Sequence, residues 1–250
     1  MAANLPIELF SRVRSFAFGA TLPLRSARLI LSRPKLIVLS IIPVTLTLIL
    51  YFYLIRYLQL AAEGWLTGVI AGWGFALDSF GAGALLILAK IGIIILAAMT
   101  FSITAAVVAS PFNDFLAEAT EPYAEPPMPA PPELPWTAKI RLIGIDLVKS
   151  VFAGIAAIIA LLVSWIPGLN LIAFFVSFLL IAFQYVSYPQ TRRNLPLREG
   201  LAFLRRHTFA CAGFGLAMSL LFAIPVVSAF CLPLAVVGGT LLVARASALR

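Results

Sequence analysis

Charge is what this chain lacks most. Only 11% of its 250 residues are Asp, Glu, Lys or Arg, while 62% are hydrophobic. A soluble domain is nearer half apolar and a quarter charged. No soluble domain of this size has enough interior to hide so much apolar surface. The composition excludes a water-soluble globule and points to an integral membrane protein. Histidine is almost absent: His207 stands alone, which excludes zinc sites that need several imidazoles. The two cysteines, Cys211 and Cys231, lie in apolar runs without metal-ligand spacing and read as packing residues. The sequence offers no Ser–His pair, carboxylate pair or metal constellation, so neither catalysis, nor a cofactor, nor a resident metal is expected.

What is present is a series of long uncharged runs. Between Leu36 and Leu60 the one charge is Arg56, and between Gly83 and Ala109 it is Lys90. At about 1.5 Å per residue, some 20 to 25 helical residues cross a hydrocarbon core of roughly 30 Å. Residues 36–60 and 83–109 are predicted to be two long transmembrane helices, with Arg56 and Lys90 snorkelling from near their ends. No charge occurs between Lys149 and Arg192, a run interrupted at Ile166-Pro167-Gly168-Leu169-Asn170. None occurs between His207 and Arg245, a run interrupted at Ile224-Pro225 and at Pro233.

Two full crossings need about 40 residues plus a turn, so the first of these runs is marginal and the second short. Both are predicted to be proline-turned helical hairpins, 138–190 and 195–247, that penetrate the bilayer part way. Backbone at their tips must then be buried in protein or line a watery cavity. Each follows a basic amphipathic lead-in (Trp136 to Lys149; Leu195 to His207), as in a weak internal repeat. The expected fold is all-α, a single membrane domain of two long spans and two hairpins behind a basic N-terminal segment, 1–35.

The positive charges set the orientation. Arg12, Arg14, Arg25, Arg28, Arg33 and Lys35 precede the first span, and the later basic blocks fall on the same side of this topology. The positive-inside rule then puts both termini in the cytoplasm. The net charge of +8 is a topology signal, and its spread over separate juxtamembrane segments speaks against nucleic-acid binding. Asp146 and Lys149, three apart, are expected to pair. The stretch SPFND, 110–114, is expected to end the second span, Pro111 stopping the helix and Asn113 and Asp114 forming caps or turns. Seven of the 14 residues from Pro122 to Pro135 are proline, so 118–137 is expected to be an extended, acidic cytoplasmic linker.

Several stretches together resemble the CysZ family of sulfate permeases, within the wider etoposide-induced protein group. They are SPFNDFLAE, RLILSRPKLIVLSIIPV, WIPGLNLIAFFVSFLLIAFQYVSYP, and LREGLAFLRRH followed by GFGLAMSLLFAIPVVSAFCLPLAVVGGT. Their order and spacing cover nearly the whole chain. The resemblance implies a bacterial inner-membrane permease carrying sulfate inward for cysteine synthesis, a lipid-embedded homo-oligomer without a nucleotide-binding subunit. One departure stands out. The family's glycine-leucine-arginine after the proline before the first span is Lys35-Leu36-Ile37 here, which leaves the choice among oxyanions open.

An anion crossing a bilayer needs helix N-termini, fixed cations and hydroxyls in place of water. Arg28, Arg33 and Lys35, at the start of the first span, are the candidate anion-attracting cluster; the competing role is headgroup anchoring. Candidate pathway residues are Ser40, Thr45 and Thr47 in the first span, Thr100, Ser102 and Thr104 in the second, Asn113 at its exit, and Gly168, Asn170 and Ser228 at the hairpin tips. Such hydroxyls also bond their own helices or glue helices together. No carboxylate falls near the middle of an uncharged run, which favours a passive, channel-like route over a proton relay. A scaffold or lipid-binding membrane protein that transports nothing is the alternative.

Overall fold

The computed structural model describes residues 5–72, 80–129 and 136–247. They form eight α-helices: α1 (Leu5–Leu31), α2 (Pro34–Gly72), α3 (Phe80–Thr120), α4 (Trp136–Val163), α5 (Asn170–Arg192), α6 (Leu197–Arg206), α7 (Thr208–Phe222) and α8 (Pro225–Ser247). One 3-10 turn, Glu121–Tyr123, follows α3. No strand occurs among the described residues.

Local chemistry explains the corners. Ser32 closes α1 by donating its hydroxyl to the Leu29 carbonyl at 2.8 Å, and Pro34 opens α2 where a missing N–H costs nothing. Between α4 and α5 the chain turns at Ser164 to Leu169, with Gly168 at φ 87°, a conformation that suits glycine. Pro225 opens α8 directly after the α7 turn.

α2 and α3 have 39 and 41 residues, so each is about 60 Å long, twice the hydrocarbon thickness. Tyr51 meets Thr100 and Thr104, and Glu63 meets Lys90 at 2.6 Å; the pair therefore runs antiparallel. Leu46, Ile49, Phe52, Ile94, Ile95 and Leu96 point outward and are exposed, as lipid-facing side chains must be.

The enclosed part is the packing of α1, α5, α7 and α8. Its contacts are made through glycine. A side chain at Gly19 would strike the backbone of Ala210 and Phe214, and one at Gly213 would strike Phe16 and Ala20. Gly215 lies on the Phe178 backbone and Gly239 on that of Tyr185. Lipid supplies no hydrophobic drive between helices, so close approach of small residues does this work. Ala235, Val236, Val237 and Thr240 of α8 retain no exposed surface.

The structure corrects two expectations about proline. Pro111 does not stop a helix: α3 runs through SPFND to Thr120. Pro233 likewise sits inside an unbroken α8. An interior proline costs about 3 kcal/mol, and tertiary packing outweighs it at Pro233, which is itself buried between Leu232 and Ala235. Among the described residues, five helical segments are long and apolar enough to cross a membrane: Pro34–Gly72, Phe80–Ala98, Gly144–Val163, Asn170–Arg192 and Val227–Ser247. By length alone this is more than the two full spans expected; α7, with 15 residues, is the short member.

Gly213→Val should disrupt the α1–α7 contact. Overpacking of this kind costs about 1–3 kcal/mol or more. Cys211, buried two residues away on the same helix, reports it: a thiol-reactive dye should label the variant at a lower temperature than the parent. An unchanged labelling curve would show that the helices do not approach so closely.

Candidate functional site

α1 carries a polar stripe. Arg14, Phe18, Thr21, Arg25 and Arg28 recur at steps of four and three, which puts them on one helix face. With Arg245 from the last turn of α8, Tyr123 and Glu125, they line a cavity of about 1000 Å³. Four guanidiniums thus share a space with one carboxylate. Leu22, Leu29 and Leu241 give it an apolar wall.

Aromatic rings position two cations at its edge. Arg25 Cζ lies 4.9 Å from the Phe18 ring centre, and Arg33 Cζ lies 4.5 Å from that of Tyr123. A ring holds a guanidinium by its face without neutralising it. Of the expected cluster, Arg28 lines the cavity and Arg33 stands against its Tyr123 wall. Lys35 is exposed on the first turn of α2, away from the lining. The Leu36 and Ile37 N–H groups both point to the Arg33 carbonyl, at 3.0 and 3.1 Å. With Pro34 lacking an N–H, Lys35 supplies the donor capacity left at that helix start.

Tyr123 is held from behind by an ion-pair network. Asp114, Glu118 and Glu121 lie on one face of the α3 end and its 3-10 extension, opposite Arg192 and Arg193 at the end of α5. Arg192 Nη1 is 2.8 Å from Glu118 Oε2 and 3.5 Å from Asp114 Oδ2. Arg193 forks onto Glu121 with bonds of 2.8 and 3.1 Å, and also donates to the Pro189 and Pro129 carbonyls. Glu121 is only 3% exposed. Burial raises the Asp114 carboxyl above its ordinary pKa, Arg192 pulls it back and Glu118 adds to the rise. The start of the expected linker is therefore folded: Ala124 and Met128 are buried, because the charge that should keep it in water is paired. Residues 130–135 of that linker lie outside the described residues.

At depth the hydroxyls are mostly committed to helices. Tyr51 donates to Thr104 Oγ1 at 2.9 Å and reaches Thr100 Oγ1 at 3.1 Å, while Thr100 bonds the Leu96 carbonyl. Thr47 bonds the Pro43 carbonyl, and Thr45 faces outward. Ser40 is buried with its hydroxyl unbonded; the side chain of Ser102 lies outside the described residues. Asn113 is no cap. It sits in α3 and donates to the Tyr188 hydroxyl at 3.2 Å. Thr47 and Asn113 do meet, on a cavity of about 10 Å³ between α2, α3 and α8, room for roughly one water. Asn170 accepts the Leu171 N–H. Ser228 lies within α8 and gives its own N–H to the Ile224 carbonyl, so it offers no backbone donor at a tip.

Lys149 does not pair directly with Asp146. It turns into the α4–α5 seam, 2% exposed, and donates to Thr191 Oγ1 at 3.0 Å, while Asp146 stays exposed.

A family model described as sulfate transporter CysZ/etoposide-induced protein 2.4 matches residues 22–233. The chain belongs to this family. A protein of Pseudomonas aeruginosa called sulfate transporter CysZ is 30% identical over 223 residues, covering 85% of this chain and 89% of the relative. One of Pseudomonas paraeruginosa with the same name is 29% identical over 224 residues, covering 85% and 89%. One of Pseudomonas fluorescens is 33% identical over 150 residues, covering 57% and 60%. The CysZ family is one of transporters, not enzymes, and its apolar helices make this a multi-pass membrane protein. Arg25, Arg28, Arg33, Tyr123 and Glu125 fall inside the matched region; Arg14 and Arg245 fall outside it.

The network ranks its own members. Glu121→Ala should cost about 1.5–3 kcal/mol, because it removes the buried carboxylate that takes two charge-assisted bonds from the part-buried Arg193. Glu118→Ala should cost under about 1 kcal/mol, since Glu118 is solvated. Denaturant unfolding in micelles checks this, and equal costs would remove the special role of Glu121. Tyr51→Phe should cost about 0.5–2 kcal/mol and leave anion flux unaltered; a large change in flux would make these hydroxyls part of the route.

Proposed function

We propose that this protein is a permease moving sulfate, or a related oxyanion, across the bacterial inner membrane into the cytoplasm, where it serves cysteine synthesis. The observation that carries the reading is the cavity lined by Arg14, Arg25, Arg28 and Arg245. A divalent oxyanion leaves water only for several charge-assisted hydrogen bonds, and guanidinium forks supply them in pairs. Arginines turned onto rings rather than onto carboxylates keep their charge for a ligand. The relatives' name supplies sulfate as the first anion to try.

Positive residues cluster at the end of the molecule that holds the α1–α2 corner, the end of α5 and the end of α8. The positive-inside rule makes that end cytoplasmic, so the cavity is the inner mouth. α7 is about 22 Å long by its 15 residues, short of the hydrocarbon, which fits a last hairpin that penetrates part way. Residues 36–60 and 83–109 contain no carboxylate of their own to carry protons, which favours passive flow. The exposed apolar flanks of α2 and α3 suit a homo-oligomer in lipid.

Labelled sulfate should enter vesicles containing only the purified protein, faster than empty vesicles and with saturation. Arg25→Gln or Arg28→Gln should raise the half-saturating concentration about tenfold, the worth of one charge-assisted bond. Flux no greater than that of empty vesicles, across a range of oxyanions, would leave the scaffold reading in its place.

A further inference from the structure

A second basic cavity lies on another face of α1. It has a volume of about 320 Å³ and is lined by Arg12 and Ser15 of α1, Arg205 and Arg206 closing α6, and His207 and Phe209 at the α6–α7 break. Among the described residues, no acidic side chain lines it. Arg205 and Arg206 form no ion pair among the described residues and are exposed. The proposed transport cavity uses none of these groups.

We propose that this cavity binds the phosphate of an anionic membrane phospholipid. α6 is built to lie along the membrane surface. Phe203 and Leu204 are buried against the bundle, while Arg198, Arg205 and Arg206 face out. A short amphipathic helix of this kind rests at headgroup depth, and basic pockets beside membrane helices take phosphate headgroups. The rim is apolar as well as basic. Phe209, 41% exposed, carries Arg12 Cζ 5.5 Å from its ring centre, and Ala210 follows it in the lining. A phosphodiester with acyl chains satisfies both halves of that surface; a free inorganic anion satisfies only one. The Ser15 and Thr208 hydroxyls are donating to helix carbonyls, so the arginines are the groups that grip the phosphate.

The test uses the full-length protein in micelles, with native mass spectrometry reading retained phosphatidylglycerol against phosphatidylcholine. The parent should retain phosphatidylglycerol preferentially. Arg205→Gln with Arg206→Gln should weaken that retention at least tenfold, and Arg198→Gln, on the same helix but outside the cavity, should leave it intact. Arg12→Gln, on a different helix, should repeat the loss if the double variant fails to fold. Equal retention of both lipids, or an equal loss in Arg198→Gln, would overturn the proposal. So would displacement of the lipid by inorganic phosphate or sulfate at matched concentration, which would make this a site for a free anion. None of these readings depends on flux, so they stand or fall apart from the transport proposal.

Discussion

The close approach of α1 to α7 is the contact on which the rest is hung. It exists because Gly19 and Gly213 have no side chains where the two backbones meet. That crossing holds α1 against the C-terminal helices, and α1 carries both basic cavities, one on each of two faces. A further pair of glycines, Gly215 and Gly239, sets α5 against α7 and α8, which fixes where Arg192 and Arg193 emerge. In lipid this is an economical way to build rigidity. Dispersion contacts grow with close approach, and no water has to be expelled.

The arginines divide into two kinds by their partners. Arg192 and Arg193 are consumed by Asp114, Glu118 and Glu121, and their task is to hold the 3-10 turn and Tyr123 in place. Arg25 and Arg33 lean on rings instead. The acidic residues, few as they are, were placed so that neutralisation falls on the structural pair. The single carboxylate at the larger cavity, Glu125, leaves most of the positive potential there unspent. Charge count alone would not reveal this, because both kinds of arginine contribute equally to a net charge of +8.

Most of the helices were legible in the sequence because hydrophobic runs of span length have few other readings, and the two hairpin turns were legible from their proline pairs. Pro233 misled because the local penalty of an interior proline is visible in sequence, whereas the packing that outweighs it is not; α3 likewise runs on through Pro111. The site was half legible. Arg28 and Arg33 stood out as cations flanking a helix start. Arg14, Arg25 and Arg245 did not, although the four-three spacing of Arg14, Phe18, Thr21, Arg25 and Arg28 was there to be read as a stripe. Arg245 and Tyr123 join that stripe only through tertiary contact. Nothing in the sequence places Tyr51 opposite Thr100 and Thr104, since helix register across a membrane pair leaves no local mark.

The same prolines bear on where an anion can travel. Proline at position i leaves the carbonyl at i−4 without its helical donor. For Pro43 that carbonyl belongs to Leu39, and for Pro233 to Ala229. All four residues line the small cavity between α2, α3 and α8. The cavity thus adjoins two residues whose carbonyls lack a helical donor, and the Thr47 hydroxyl proton is already given to the Pro43 carbonyl. Such a place suits a water molecule, which can donate to both oxygens, and repels an oxyanion whatever its size. If sulfate crosses, the interior of this helix junction is the wrong medium for it by charge as well as by volume. On the proposed transport reading, the path then continues from the arginine cavity along another surface of the bundle.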